Sequence, residues 1–96
     1  MRMLMTVQMD TEAGSRSIKD GSMAKLMEST LKQVNAESAY FTTHDGYRTA
    51  YIVFDLKDPS QMPQIAEPLF SGINAKIDLA PAMNMDELQE GMSRLM

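Results

Sequence analysis

Apolar and polar residues alternate from the start of the chain. Over Met1 to Met9, Met3, Met5, Val7 and Met9 fall on one side of an extended strand, and Leu4, Thr6 and Gln8 on the other. The period then changes to that of a helix, opened by Asp10 or Thr11 and running to about Asn35. Met23, Leu26, Met27, Leu31 and Val34 form its apolar stripe. Its first half, Glu12 to Asp20, is polar and contains Gly14. Together with Gly21 this predicts a break near residue 21 and a mobile first segment.

Period two returns from Ala39 to Asp55, interrupted by Asp45-Gly46. That dipeptide suits a two-residue turn in which both central residues take positive φ. A hairpin about it pairs Tyr40, Thr42 and His44 with Tyr51, Thr49 and Tyr47. Phe41, Ala50, Ile52 and Phe54 go to the opposite face. Asp58-Pro59-Ser60-Gln61 then predicts a helix start, with Asp at the N-cap, Pro in the first turn and Gln closing a capping box. Met62, Ile65, Ala66, Leu69 and Phe70 point inward, and the helix stops near Ser71-Gly72. Ala75 to Ala80 reads as a short strand, with Ile77 and Leu79 opposite Lys76 and Asp78; Pro81 ends it. Asn84 and Glu87 make a second capping box, opening a last helix striped by Met85, Leu88, Met92 and Leu95.

The order β-α-β-β-α-β-α predicts a single ferredoxin-like α+β domain over residues 1–96. Its sheet has four antiparallel strands and carries the helices on one face. The covered face takes Met3, Met5, Val7, Phe41, Ala50, Ile52, Phe54, Ile77 and Leu79. The other takes Leu4, Thr6, Gln8, Tyr40, Thr42, Tyr47, Thr49, Tyr51, Val53, Lys76 and Asp78, with His44 at the hairpin tip. This second face is too apolar for plain solvent surface and too polar for an ordinary core. It suits a face-to-face homodimer in which two sheets close a barrel around polar groups and water.

Composition narrows the chemistry. At 44% hydrophobic and 23% charged residues, the chain has the make-up of a folded domain rather than a disordered one. With no cysteine, disulfides, thiolate metal sites and cysteine nucleophiles are excluded. The net charge is −4 and the nine basic residues are dispersed, so no nucleic-acid footprint is expected. The β-α-β-β-α-β order is also that of RNA-binding sheets. Tyr47-Arg48-Thr49 lacks the basic-glycine start of their third-strand motif. No apolar run is long enough for a membrane span, and Met1 to Asp10 does not read as a signal peptide, so a cytoplasmic location is expected. Eleven methionines suggest copper(I), but Met3 and Met5 lie on the covered face, where methionine fills cores. Neither a metal nor a cofactor is expected.

The chain resembles the dimeric α/β-barrel superfamily. The likeness rests on the element order and on the hairpin Ala39-Tyr40-Phe41-Thr42-Thr43-His44-Asp45-Gly46-Tyr47-Arg48-Thr49-Ala50. That superfamily includes muconolactone isomerases and cofactor-independent monooxygenases. The stretches Asp58-Pro59-Ser60, Ala66-Glu67-Pro68 and Pro81-Ala82-Met83-Asn84 look most like an uncharacterised branch of small bacterial proteins. The resemblance implies a homodimer and carries over no catalytic signature; the chain has no tryptophan, unlike the monooxygenase branch.

The candidate pocket residues are Gln8, Tyr40, Thr42, His44, Tyr47, Thr49, Tyr51, Lys76 and Asp78. His44 is the acid–base candidate, set against a plain polar turn. Asp45 is expected to point away from it, because neighbours along a strand alternate. Tyr40 and Tyr51 either hold a carbonyl or an aromatic ring, or fill an interface. Lys76 either holds a carboxylate or forms a surface ion pair with Asp78. Three functions fit: binding of a small hydrophobic or aromatic metabolite, cofactor-free isomerase or monooxygenase chemistry on an aromatic or lactone-type metabolite, or dimerisation alone.

Overall fold

The computed structural model describes residues 1–95. Four strands form one antiparallel sheet: β1 (Arg2–Gln8), β2 (Ser38–His44), β3 (Tyr47–Asp55) and β4 (Lys76–Pro81). Their spatial order is β2-β3-β1-β4, so the two central strands are the first and third in sequence. With helices on one face, this is a ferredoxin-like α+β fold.

The register follows the period-two pattern. Met3 faces Phe54, Met5 faces Ile52 and Val7 faces Ala50, while Met5 and Val7 also face Leu79 and Ile77. In the hairpin, Tyr40 lies opposite Tyr51, Thr42 opposite Thr49 and His44 opposite Tyr47. Asp45 and Gly46 both have positive φ, 54° and 81°, as a two-residue turn of this hand requires.

The helical stretch after β1 divides at Gly21, whose φ of 82° ends α1 (Thr11–Asp20) and begins α2 (Ser22–Val34). The first segment is a capped and packed helix. Asp10 accepts a hydrogen bond from the Ala13 N–H at 2.9 Å, and Ala13, Gly14 and Ser17 are buried. Arg48 reaches from the helix side of β3 to the Thr11 carbonyl and Ser15 Oγ, each at 3.3 Å. Gly14 admits this guanidinium, since a Cβ there would stand 3.1 Å from Arg48 Nη1.

A 3-10 turn (Pro59–Gln61) with the expected capping box leads into α3 (Met62–Ile73). α3 runs past Ser71-Gly72 and stops at Asn74, which takes the left-handed conformation at φ 48°. Ile65, Ala66, Leu69 and Ile73 enter the core with Met5, Val7, Ile52, Phe54, Met27 and Val34. Phe70 does not join them: it is 43% exposed, one step round α3 from the buried Leu69. Phe41 lies on the helix-covered face as expected but is 56% exposed, because β2 is the edge strand and α2 leaves it uncovered.

A last helix, α4 (Met85–Ser93), opens with a reciprocal capping box. The Glu87 N–H donates to Asn84 Oδ1 and the Asn84 N–H to Glu87 Oε1, both at 2.9 Å. α4 buries none of its residues. Its start is tethered by Arg2, which donates to Glu87 and to the Ala82 carbonyl. Among the described residues, no helix is long and apolar enough to cross a membrane.

Candidate functional site

The face of the sheet away from α1, α2 and α3 has no helix across its centre. Its residues come from alternate positions of all four strands, so the pleat that buries Met5 and Ile52 turns Thr6 and Tyr51 outward. Thr6 lies opposite both Tyr51 and Asp78, and Gln8 opposite both Thr49 and Lys76. Side chains from three strands and the hairpin tip therefore converge at one end of the face. They line an open basin of about 400 Å³, formed by Thr6, Gln8, His44, Asp45, Tyr51, Lys76 and Asp78. That volume lies in the range of small-molecule sites.

The hairpin supplies an imidazole and a carboxylate at the basin's edge, both exposed. His44 Nε2 stands 3.4 Å from Asp45 Oδ2. The expectation that these neighbours diverge is overturned by the turn. Asp45 is not a strand residue; at φ 54° its backbone leaves the strand alternation and its carboxylate comes back to the imidazole. Gln8 ties this tip to the centre of the sheet, its Nε2 donating to the His44 carbonyl at 3.4 Å.

Lys76 and Asp78 project from β4 on the basin side. Among the described residues no ion pair joins them, so the surface-pair reading of these two does not describe this structure. The lysine presents an ammonium and Asp78 a carboxylate to the same volume. A bound molecule thus meets one cation, two carboxylates, an imidazole, a phenol, an amide and a hydroxyl.

Five of the nine sequence-derived pocket residues line the basin: Gln8, His44, Tyr51, Lys76 and Asp78. Four lie beside it. Thr49 is 1% exposed and its hydroxyl donates to the Tyr47 carbonyl at 3.0 Å, so it is packing beneath the face. Tyr47 lines a neighbouring shallow depression with Gln8 and Lys76. Tyr40, opposite Tyr51 on the edge strand, is 70% exposed, and Thr42 is exposed next to it. Thr6 and Asp45 complete the basin. Thr6 was legible from its place between Tyr51 and Asp78; only the turn geometry brings in Asp45. No protein-family model matches this chain, and no curated protein matches its sequence.

Proposed function

We propose that this chain is a homodimeric α/β-barrel protein that binds a small metabolite with an aromatic body and polar substituents. Two basin-bearing faces meet in the dimer, as the resemblance to the dimeric α/β-barrel superfamily implies. The observation that carries the reading is the 400 Å³ basin, in which ionisable, amide and phenol groups converge on a face with no cover of its own. An aromatic body fits against the Tyr51 ring. Polar substituents fit Lys76 at one side and the His44–Asp45 pair at the other. The apolar residues of the same face, Leu4 and Val53, are partners across β1 and β3 and support closure by a second copy.

A second reading is favoured by one distance. His44 Nε2 within 3.4 Å of Asp45 Oδ2 is an arrangement that orients an imidazole for proton transfer, and it supports a cofactor-free isomerase acting on the same class of ligand. Both readings need ligand in the basin.

Light scattering gives the mass, and a thermal-shift screen of small aromatic acids, phenols and lactones gives the ligand. The expected result is a dimer stabilised by at least one such compound. Tyr51→Phe and Lys76→Ala should each weaken that compound about 10-fold, the size of one lost hydrogen bond or charge contact. A dimer whose hits bind both variants with unchanged affinity leaves the face to dimerisation alone. Turnover of a hit that is lost in His44→Ala but kept in Asp45→Asn would remove the pair from the isomerase reading.

A further inference from the structure

α4 presents an apolar row that its own chain does not cover. Met85, Leu88 and Met92 on α4, and Leu95 in the turn just beyond its Arg94 C-cap, are all exposed, and α4 buries no residue. The row is not loosely held. The Asn84–Glu87 capping box fixes the first turn, and Arg2 holds Glu87 and the Ala82 carbonyl. The helix is therefore presented outward, in a molecule whose longest dimension is 54 Å against 28 and 18 Å for the other two.

We propose that α4 pairs antiparallel with α4 of a second copy and clamps the homodimer. The spacing of the row is self-complementary. Steps of three, four and three residues are symmetric about position 90. An antiparallel two-fold pairing therefore sets Met85 against Leu95 of the second copy, and Leu88 against Met92. The same spacing is that of the a and d positions of a heptad, which keeps Met85, Leu88 and Met92 on one side of the helix; Leu95 follows in a turn whose Leu95 N–H donates to the Met92 carbonyl at 3.0 Å. Gln89 and Gly91 flank it, so no charge is buried at the seam, and Gly91 leaves room for a close approach.

Charge selects the orientation. Asp86 and Glu87 lie in the first turn, and Arg94 caps the last. Arg94 is paired with Glu90 at 3.0 Å, so the last turn is close to neutral; antiparallel pairing keeps the two acidic first turns apart and opposes the helix dipoles, whereas parallel pairing stacks the acidic turns on each other. The polar side of α4 carries Asp86, Glu87 and Glu90 against the single base Arg94, the reverse of a helix that lies on anionic lipid. Area gives a further reason for a second copy. Four strands about 4.8 Å apart and roughly 20 Å long offer about 400 Å² of sheet face, against about 800 Å² per partner in a stable interface. The clamp rests on the homodimer proposed above and supplies the shortfall.

The test combines self-association with cross-linking. Sedimentation compares the full chain with Leu88→Glu/Met92→Glu, a change on an exposed row outside the core. The expected result is a dimer that dissociates at least about 100-fold more readily in the variant, with unchanged near-UV circular dichroism. The chain has no cysteine, so introduced thiols are the only ones. Leu88→Cys and Met92→Cys chains, mixed and oxidised, should form a disulfide-linked pair, and neither chain alone should. Cross-linking of Leu88→Cys with itself would indicate parallel pairing and overturn the orientation. A wild-type dimer with undiminished association in the double variant would overturn the clamp and leave the sheet-face dimer standing. A monomeric wild type would overturn both.

Discussion

At the residue scale, a position in the alternation says which way a side chain points, not what covers it. Phe54 and Phe41 share a sheet face, yet Phe54 is buried between Met3 and the α3 core residues while Phe41 stands open on the edge strand. Truncation separates them. Phe54→Ala should cost about 3–5 kcal/mol in urea denaturation, transfer and cavity terms together. Phe41→Ala should cost under about 1 kcal/mol in the same assay. Equal losses would mean that Phe41 is buried by something beyond its own chain. The same distinction explains what the sequence hid at the site. The facing pairs Tyr40–Tyr51, Thr42–Thr49 and His44–Tyr47 were legible because a two-residue turn leaves one register. Asp45 was not, because a turn residue at positive φ obeys no strand alternation. Phe70 reads as inward because it is an apolar residue at the margin of the helical stripe, beside the buried Leu69, and the sequence does not show where that stripe ends.

At the element scale, the caps were the most legible features, because each is a local hydrogen-bonding requirement written in a few residues. Asp58 and Asn84 cap where the sequence places them, and of the two candidates for the first helix, Asp10 and Thr11, Asp10 is the cap. The end of α3 was less legible: Asn74 performs the left-handed stop that Gly72 was expected to provide. Caps also make α4 separable from the body. A nine-residue helix with no buried face is marginal on its own, and losing a cap costs about 1 kcal/mol. Asn84→Ala should therefore lower the far-UV helical signal of the chain at protein concentrations that favour the monomer, with no change in the core's near-UV signal. Acid should act in the same direction. The Asn84 N–H and then Arg2 hold the Glu87 carboxyl below the ordinary carboxylate range. The Ser60 N–H lowers Asp58, and Lys57 followed by the Met1 amine holds Asp55 down to about 2. A carboxylate depressed in the fold stabilises it fully above its unfolded pKa, and that contribution is lost as pH falls through the folded value. Stability should thus be level above about pH 5 and decline from about pH 4 toward pH 2. Resistance to urea that increased over that interval would contradict these pairings.

At the scale of the whole molecule, shape is informative. The radius of gyration is 15.0 Å, against about 12–13 Å for a compact chain of this length, and α4, which buries none of its residues, stands out from the rest. An elongated chain with one uncovered face and one uncovered helix has surface left for a second copy, and the proposed dimer would impose a thermodynamic signature that no monomer shows. Unfolding of a dimer to two chains makes the melting temperature depend on concentration. For two chains of this size, each tenfold dilution should lower it by about 3 °C. Val53 supplies the decisive substitution. It lies near the centre of the free face, opposite Leu4 on β1 and Ser38 on β2, with its side chain half-buried. In the proposed dimer, Val53→Arg would set two like charges inside the barrel while leaving each chain's own core untouched. The variant should keep its far-UV spectrum, sediment at half the wild-type mass and melt at a temperature independent of dilution. It should also lose every ligand that depends on Tyr51, because the basin then faces bulk water. A Val53→Arg protein that stays dimeric would place the contact elsewhere, on α4 alone, and the basin would have to hold its ligand as an open surface site.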